Sequence, residues 1–323
     1  YVQNIKNFDI KGISFSSLKM KENFIFAVVK GSQDNDEKYI KDLENFKNIG
    51  IIVREEFKVK KSHQNLLIIK TKDVRELAGE IASLIYPNTI NDKIAITGTN
   101  GKTSISHYVA EISSNQKISN CIFGTLGIIL NNKRISNTNL TTNESIINHK
   151  YMNELSKRNC KRVIFEASSI GLEQKRLQNI KFDKIAITNL TIDHLDYHKT
   201  FKNYRYCKSL LFRKHYHKNT IVVINADATE SNYFKNISKK NNLKILDYGK
   251  KAKYFKFLKF VKIKDKFEVY VLINNKKFVI NFNCSAIYQV YNQICALLLV
   301  YGEKLLNEGI REIRLSDPNG RLE

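Results

Sequence analysis

No run of 18 uncharged apolar residues occurs in this 323-residue chain, so no membrane-spanning helix is expected. The first residues include Lys6, Asp9 and Lys11 and lack the apolar core of a secretory signal, so no export is expected either. Cysteine is sparse and unpaired in pattern. Cys121, Cys160, Cys207, Cys284 and Cys295 are odd in number and scattered, and they match neither a disulfide framework nor a zinc-finger spacing. A reducing, cytoplasmic setting is the expectation. The two prolines, Pro87 and Pro318, each fall where other signals divide the chain. Acid is short relative to base, with 31 Asp and Glu against 54 Lys and Arg, for a net charge of +23. That excess would suit a polyanion partner. However, the lysines are spread along the chain, and lysine, asparagine and isoleucine are all abundant, as an AT-rich genome would produce. No nucleic-acid partner is therefore expected. A nucleotide-bearing anionic substrate would use the same field.

The length and an apolar content of 42% allow proper cores and two domains with the beginning of a third. The expected fold class is α/β. A small N-terminal α/β domain covers 1–88. A central, mostly parallel-sheet domain with a phosphate-binding loop and an antiparallel β meander covers 89–317, and 318–323 begin a third domain that is missing. In the first domain, Phe24 to Val29, Ile51 to Val53 and Leu66 to Ile69 read as strands. Tyr39 to Phe46 looks helical, and Leu77, Ile81, Leu84 and Ile85 share a helical face. In the second, apolar strands at Ile94–Thr97, Cys121–Thr125, Val163–Glu166, Ile185–Asn189 and Ile221–Asn225 alternate with helical stretches, the mark of a parallel sheet covered on both faces. Alternation across 254–283 predicts the meander. A helix follows from about Ile287 to Tyr301.

Ligands of such sheets bind at the carboxyl ends of the strands, and the informative polar residues fall there. Thr97-Gly98-Thr99-Asn100-Gly101-Lys102-Thr103-Ser104 follows a strand and precedes a helix whose Ile105, Tyr108, Val109 and Ile112 recur at helical spacing. Glycines let backbone N–H groups approach phosphate oxygens, and the helix N-terminus adds positive potential. Lys102 supplies a point charge, and Thr103 can reach Mg2+. Ile96 stands where the common phosphate loop has its first glycine. Glu166 ends a strand and can hold Mg2+, or be a solvated strand-end acid. Asp193, His194, Asp196 and His198 cluster at another strand exit, which suits a divalent cation. Lys208 lies on the inward stripe of a helix with Tyr204 and Leu211. Taken alone, it would be a snorkelling lysine. Thr141-Thr142 could bind phosphate or sugar, and Arg176 a carboxylate.

Together these residues resemble the Mur ligase family, most of all its MurE type, which adds the third amino acid to UDP-N-acetylmuramoyl-L-Ala-D-Glu. The match is an ordered set: TGTNGKT at 97–103, TT at 141–142, EASSIGLEQKR at 166–176, TNLTIDHLDYH at 188–198, Lys208, Asn292 and GRLE at 320–323. Ser16-Ser17-Leu18 and Phe26 to Gln33 resemble its uridine-binding domain. The resemblance implies ATP and Mg2+ as cofactors, and UDP-N-acetylmuramoyl-dipeptide and a diamino acid as partners. It implies that Gly98, Thr99, Asn100, Gly101, Lys102, Thr103, Ser104, Asn292 and Arg321 bind ATP. Thr103, Glu166, His194 and a carbamylated Lys208 would hold the metal, with Lys102, Lys208, His194 and Glu166 catalytic. Ser17, Thr141, Thr142, Ser168, Gln174 and Arg176 would hold the muramoyl peptide.

Four positions depart from the family pattern: Ile170 replaces a histidine, Ser16 and Leu18 an aspartate and an arginine, and Leu140 an asparagine. The expected activity is ATP-dependent amide ligation by a monomer, with meso-2,6-diaminopimelate as the added amino acid. Alternatives are a lysine-adding or D-Glu-adding ligase, folylpolyglutamate synthase, or a basic nucleic-acid-binding NTPase. The chain is expected to lack the family's third domain and to bind substrates with little ligation.

Overall fold

The computed structural model describes residues 2–3, 9–29, 43, 46–60, 63, 65–308 and 311–316. These form two compact units. The first comprises 1–89, 144–157 and 174–179, and the second comprises 90–143, 158–173 and 180–323.

In the first unit, β1 (Val2–Gln3), β2 (Gly12–Ser14), β3 (Phe24–Ala27), β4 (Gly50–Arg54) and β5 (Leu67–Thr71) form one sheet in the order β1-β5-β4-β3-β2. All pairings are parallel except β1 with β5. Alternate residues separate onto the two faces, as the two-residue strand period requires. Phe26 and Val28 join a cluster with Ile51, Val53 and Ile68, while Ile25 and Ala27 pack with Ile52, Val74, Ala78 and Ala82. The last three belong to α1 (Val74–Ile85), whose N-cap Asp73 accepts from the Glu76 amide at 2.9 Å. The three strands expected here are present, and the helix ends two residues before Pro87. Of the helix expected over Tyr39 to Phe46, most lies outside the described residues. Leu43 is in a turn and Phe46 in a bend.

The second unit begins with β6 (Asp92–Thr97), α2 (Lys102–Asn115), β7 (Asn120–Gly124), β8 (Gly127–Leu130) and β9 (Lys133–Ser136). After α3 (Ser145–Lys157), which belongs to the first unit, come β10 (Arg162–Glu166), α4 (Ser169–Glu173), β11 (Phe182–Ile187), α5 (Leu195–His198) and α6 (Phe201–Lys214). Then follow β12 (Tyr216–Asn225), α7 (Ser231–Lys240), β13 (Lys244–Gly249), β14 (Phe255–Ile263), β15 (Lys266–Ile273), β16 (Lys276–Phe282), α8 (Ile287–Tyr301) and β17 (Glu312–Ile313).

One twelve-stranded sheet runs β17-β16-β15-β14-β13-β12-β11-β6-β10-β7-β8-β9. Its middle, from β7 to β13, is parallel. The meander β14–β16 is antiparallel, as the alternation predicts. The hairpin β8–β9 on the opposite edge extends the sheet through a stretch that reads as merely polar. Ile105, Tyr108, Val109 and Ile112 of α2 are all buried, each contributing about 1.5–3 kcal/mol. α2 packs against α8, and both join the core beneath the meander. Among the described residues, no helix is long and apolar enough to cross a membrane.

Candidate active site

β6 lies between β10 and β11, so the ends of three neighbouring parallel strands bring their exit segments together. The loop after β6 takes its shape from two glycines. Gly98 has φ +146°, and a Cβ there would collide with the Thr188 hydroxyl. Gly101 has φ +88° and is the N-cap of α2; its Cβ would meet Asn292 Oδ1. Asn292, in α8, thus abuts the loop. No side chain caps α2 and its first turn holds no acid, so the loop amides lie at the positive end of the helix.

The loop is bolted to the exit of β11. The Thr99 amide donates to Asn189 O at 3.0 Å, and the Asn100 amide to Asn189 Oδ1 at 2.9 Å. Thr188 Oγ1 donates to Asn100 O at 2.6 Å. Thr99 Oγ1 accepts from the Thr191 amide at 3.0 Å and lies 3.0 Å from the Tyr204 hydroxyl. Thr188, Asn189 and Tyr204 are positioning residues that motif reading passes over. The signal for Thr188 and Asn189 is a hydroxyl and an amide at a strand exit next to the phosphate loop, whereas Tyr204 lies within α6.

On the other side, Glu166 is 1% exposed at the end of β10. Its carboxylate accepts from Thr103 Oγ1 at 2.9 Å, Thr125 Oγ1 at 3.0 Å and the Thr125 amide at 3.3 Å. The strand-end acid is therefore buried and engaged, not solvated. Gly124 matters here: a Cβ on it would fall 2.1 Å from Glu166 Oε1. Thr142 is buried, bonding Glu166 O at 2.8 Å and lying 3.0 Å from Ser168 Oγ. Thr141 Oγ1 accepts from Thr125 Oγ1 at 3.1 Å. Thr141, Thr142, Ser168 and Glu166 thus form one hydroxyl-rich corner.

Lys208 is 1% exposed and does not snorkel. Its Nζ donates to Gly98 O at 2.9 Å and lies 4.7 Å above the Tyr204 ring. Lys102 Nζ reaches the same carbonyl at 2.9 Å, and Thr99 O at 2.9 Å. Two lysine Nζ atoms thus converge on one oxygen. Burial first, and the Lys102 charge second, push the Lys208 amine well below the usual lysine range, which favours the neutral form.

The Asp193–His198 string does not act as one cluster. His194 has φ +50° and a side chain 51% exposed, with Nε2 3.6 Å from Asp193 Oδ2. His198 is buried and turns to Ser169 and Glu173 instead. The expected four-residue cation cluster is corrected on this point, because the turn of α5 sends its two histidines different ways.

Ser17, Gln174 and Arg176 belong to the first unit. Ser17 is half-buried and starts a 3-10 turn. Arg176 Nη2 donates to Gln174 Oε1 at 2.6 Å, and its Nε lies 3.4 Å from Glu144. Arg321 lies outside the described residues.

Thr103 and Glu166 offer a hydroxyl and a carboxylate oxygen in contact, the donor chemistry that a hard divalent cation takes. The residues fit magnesium on that ground. An amine at Lys208 would not ligate it, whereas a carbamate there would.

A doubly covered parallel sheet with a glycine loop at the central strand exit defines a nucleotide-phosphate-binding α/β domain. Residues 96–300 match the family described as Mur ligase middle domain. The chain therefore belongs to the Mur ligase family. It is 33% identical over 253 residues to the UDP-N-acetylmuramoyl-L-alanyl-D-glutamate--2,6-diaminopimelate ligase of Rickettsia prowazekii (strain Madrid E), covering 77% of this chain and 52% of that protein. The ligase of the same name from Aquifex aeolicus (strain VF5) is 29% identical over 293 residues, covering 89% and 58%. A solved structure of a ligase with this name superposes with a TM-score of 0.82 at 24% identity, covering 97% of this chain and 64% of the other. The chain spans about half the length of the curated relatives it matches.

Proposed function

We propose that this chain provides the nucleotide and muramoyl-peptide sites of an ATP-dependent ligase. The enzyme would join a diamino acid to the D-Glu carboxylate of UDP-N-acetylmuramoyl-L-Ala-D-Glu in cytoplasmic peptidoglycan precursor synthesis. The amine is 2,6-diaminopimelate, the amino acid in its relatives' name, taken in its meso form. The observation that carries this reading is the meeting of three distant segments at one strand edge. Lys102 and Lys208 share the Gly98 carbonyl, and Thr103 touches Glu166.

The loop roles rest on that geometry, and those of His194, Arg321, Ser17, Gln174 and Arg176 rest on the family resemblance. The loop amides and Lys102 bind the phosphate chain of ATP, with Lys102 giving up its loop carbonyls for phosphate oxygens. Asn292 borders the nucleotide, and Arg321 is assigned beside it. Thr103, Glu166 and His194 would hold Mg2+, which supplies neutralisation of the charge that develops in phosphoryl transfer. Lys208 completes the set after carbamylation: its neutral Nζ attacks the carbon of CO2, an N–C bond forms, and one proton leaves to give an anionic carbamate. Burial of the amine favours this by disfavouring its charged form. Lys102 then steadies the γ-phosphoryl group as the D-Glu carboxylate displaces ADP. The amine attacks the resulting acyl phosphate, forming the amide and releasing phosphate and a proton. Ser17, Thr141, Thr142, Ser168, Gln174 and Arg176 hold the muramoyl peptide.

The test is hydroxamate trapping. With ATP, Mg2+ and UDP-N-acetylmuramoyl-L-Ala-D-Glu but no amine, hydroxylamine should yield the peptide hydroxamate, and the dipeptide should raise the Tm. A folate substrate in its place should do neither. Trapping with folate, or Tm stabilisation by folate alone, would overturn the assignment.

A further inference from the structure

Three side chains that the ligase chemistry leaves unused meet in the second unit. They are Glu173 at the end of α4, His198 at the end of α5 and Cys207 in α6. Their ligand atoms all lie within 4.8 Å of one another. The His198 side chain is 0% exposed. Its Nε2 lies 2.9 Å from Ser169 Oγ, and its Nδ1 makes no hydrogen bond. A buried ring nitrogen left without a partner is costly and asks for an explanation.

The spacing supplies one. His198 Nδ1 is 3.6 Å from Glu173 Oε2, too far for a hydrogen bond. Two ligands on one tetrahedral ion, with bonds of about 2.0–2.3 Å, stand about 3.3–3.8 Å apart. When Nε2 donates to Ser169, Nδ1 presents a lone pair toward the carboxylate. A cation between them turns that repulsion into attraction, and Ser169 acts as the outer partner that orients a ligating imidazole. Imidazole, thiolate and carboxylate form the three-ligand set of an open zinc site.

We infer that Glu173, His198 and Cys207 bind one Zn2+ with water as the fourth ligand. Glu173, 38% exposed, is the entry point from solvent. The ion would tie α4, α5 and α6 together, in a region where α4 and α5 already pack on α6. It would thereby fix the helix that carries Lys208 beside Cys207. Zinc binds the thiolate, so its uptake displaces the Cys207 proton.

The test is titration of the metal-free chain with Co2+. One equivalent should produce a thiolate-to-cobalt charge-transfer band that Zn2+ abolishes. Cys207→Ser should lose the band, and Glu173→Gln should weaken binding at least tenfold. Cys121→Ser, on another buried cysteine, should change neither. No band in the folded chain, or an unchanged band in Cys207→Ser, would overturn the site and leave a His–Glu ion pair beside a bystander thiol. If Cys207→Ser fails to fold, Glu173→Gln decides, and unchanged cobalt affinity there would also overturn it. The readout is spectroscopic and independent of ligation, so this site and the ligase assignment can fail separately.

Discussion

The loop after β6 and the turn after β11 leave neighbouring parallel strands, yet they hold their polar groups in opposite ways. The loop Gly98–Thr103 is fixed from every side: glycine backbone within, Asn189 and Thr188 across one flank, Asn292 beneath Gly101. Its own charged group, Lys102, rests on backbone carbonyls. The turn 193–198 divides, with His194 out toward solvent and His198 inward. One segment is a rigid receptor with a movable cation. The other is a turn whose two histidines serve different neighbourhoods. Chemistry that must meet a flexible triphosphate is well served by that combination.

The largest effect expected tests the loop side. Lys102→Ala removes the movable cation but leaves the glycine geometry and the Asn189 bracket intact. Hydroxamate formation should fall by at least about a hundredfold, as for loss of a group that stabilises transition-state charge. Nucleotide binding should weaken far less. An equal loss of binding and of rate would mean that Lys102 is only an anchor.

Next comes the helix beyond the turn. α6 ends at His215, whose Nδ1 lies 3.0 Å from Ile180 O in a buried site. Burial pulls this histidine from its ordinary 6.5 down to about 4. The folded value lies below the unfolded one, so the unfolded chain takes up the proton first. The contribution is full above about pH 6.5 and is lost as pH falls toward about 4, some 3 kcal/mol in all at about 1.4 kcal/mol per unit. Urea melts from pH 7 to 4.5 should show this slope, and His215→Gln should flatten it. Hydrogen exchange would sharpen the comparison, because α6 amides should lose protection before those of α2.

How much of this could be read beforehand divides along the same line. The loop was legible because its parts are contiguous: TGTNGKT names its glycines, its lysine and its hydroxyl in one string. The inward position of Lys208 followed from the helical stripe it shares with Tyr204 and Leu211. The parallel strands and the meander followed from apolar runs and alternation. The string DHLDYH misled, because adjacency in sequence suggested one cation cluster where the backbone turn makes two environments. The Glu173–His198–Cys207 cluster was illegible, because its members come from three helices and no spacing rule joins them. The β8–β9 hairpin went unseen because both strands are only four residues long and the outer one, KRIS, is largely exposed.

A smaller effect probes the β10 flank of the loop. Gly124→Ala places a methyl against Glu166 Oε1, a buried carboxylate held by Thr103 and Thr125. The carboxylate must shift, at about 1–3 kcal/mol of overpacking. Magnesium-dependent nucleotide binding should fall while binding without the metal is kept. If both fall together, the damage has reached the loop itself, and the two flanks are not separable.

The smallest effect isolates the bolt between loop and turn. Tyr204 touches both sides of the comparison. Its hydroxyl lies 3.0 Å from Thr99 Oγ1, its ring lies beneath Lys208 Nζ, and His198 packs 5.3 Å away. Tyr204→Phe keeps the ring and deletes the hydroxyl. Thr99 Oγ1 retains the Thr191 amide and the carbonyl of Thr191 as partners. No buried group is left unpaired, and the cost should be about 0.5–1.5 kcal/mol. If the loop owes its shape mainly to glycine backbone and Asn189, nucleotide affinity will drop less than about tenfold in calorimetry. A loss greater than that, with unchanged Tm, would show that the Tyr204 hydroxyl sets the loop conformation. The rigid receptor would then be rigid only because α6 holds it, and the two regions would be one device.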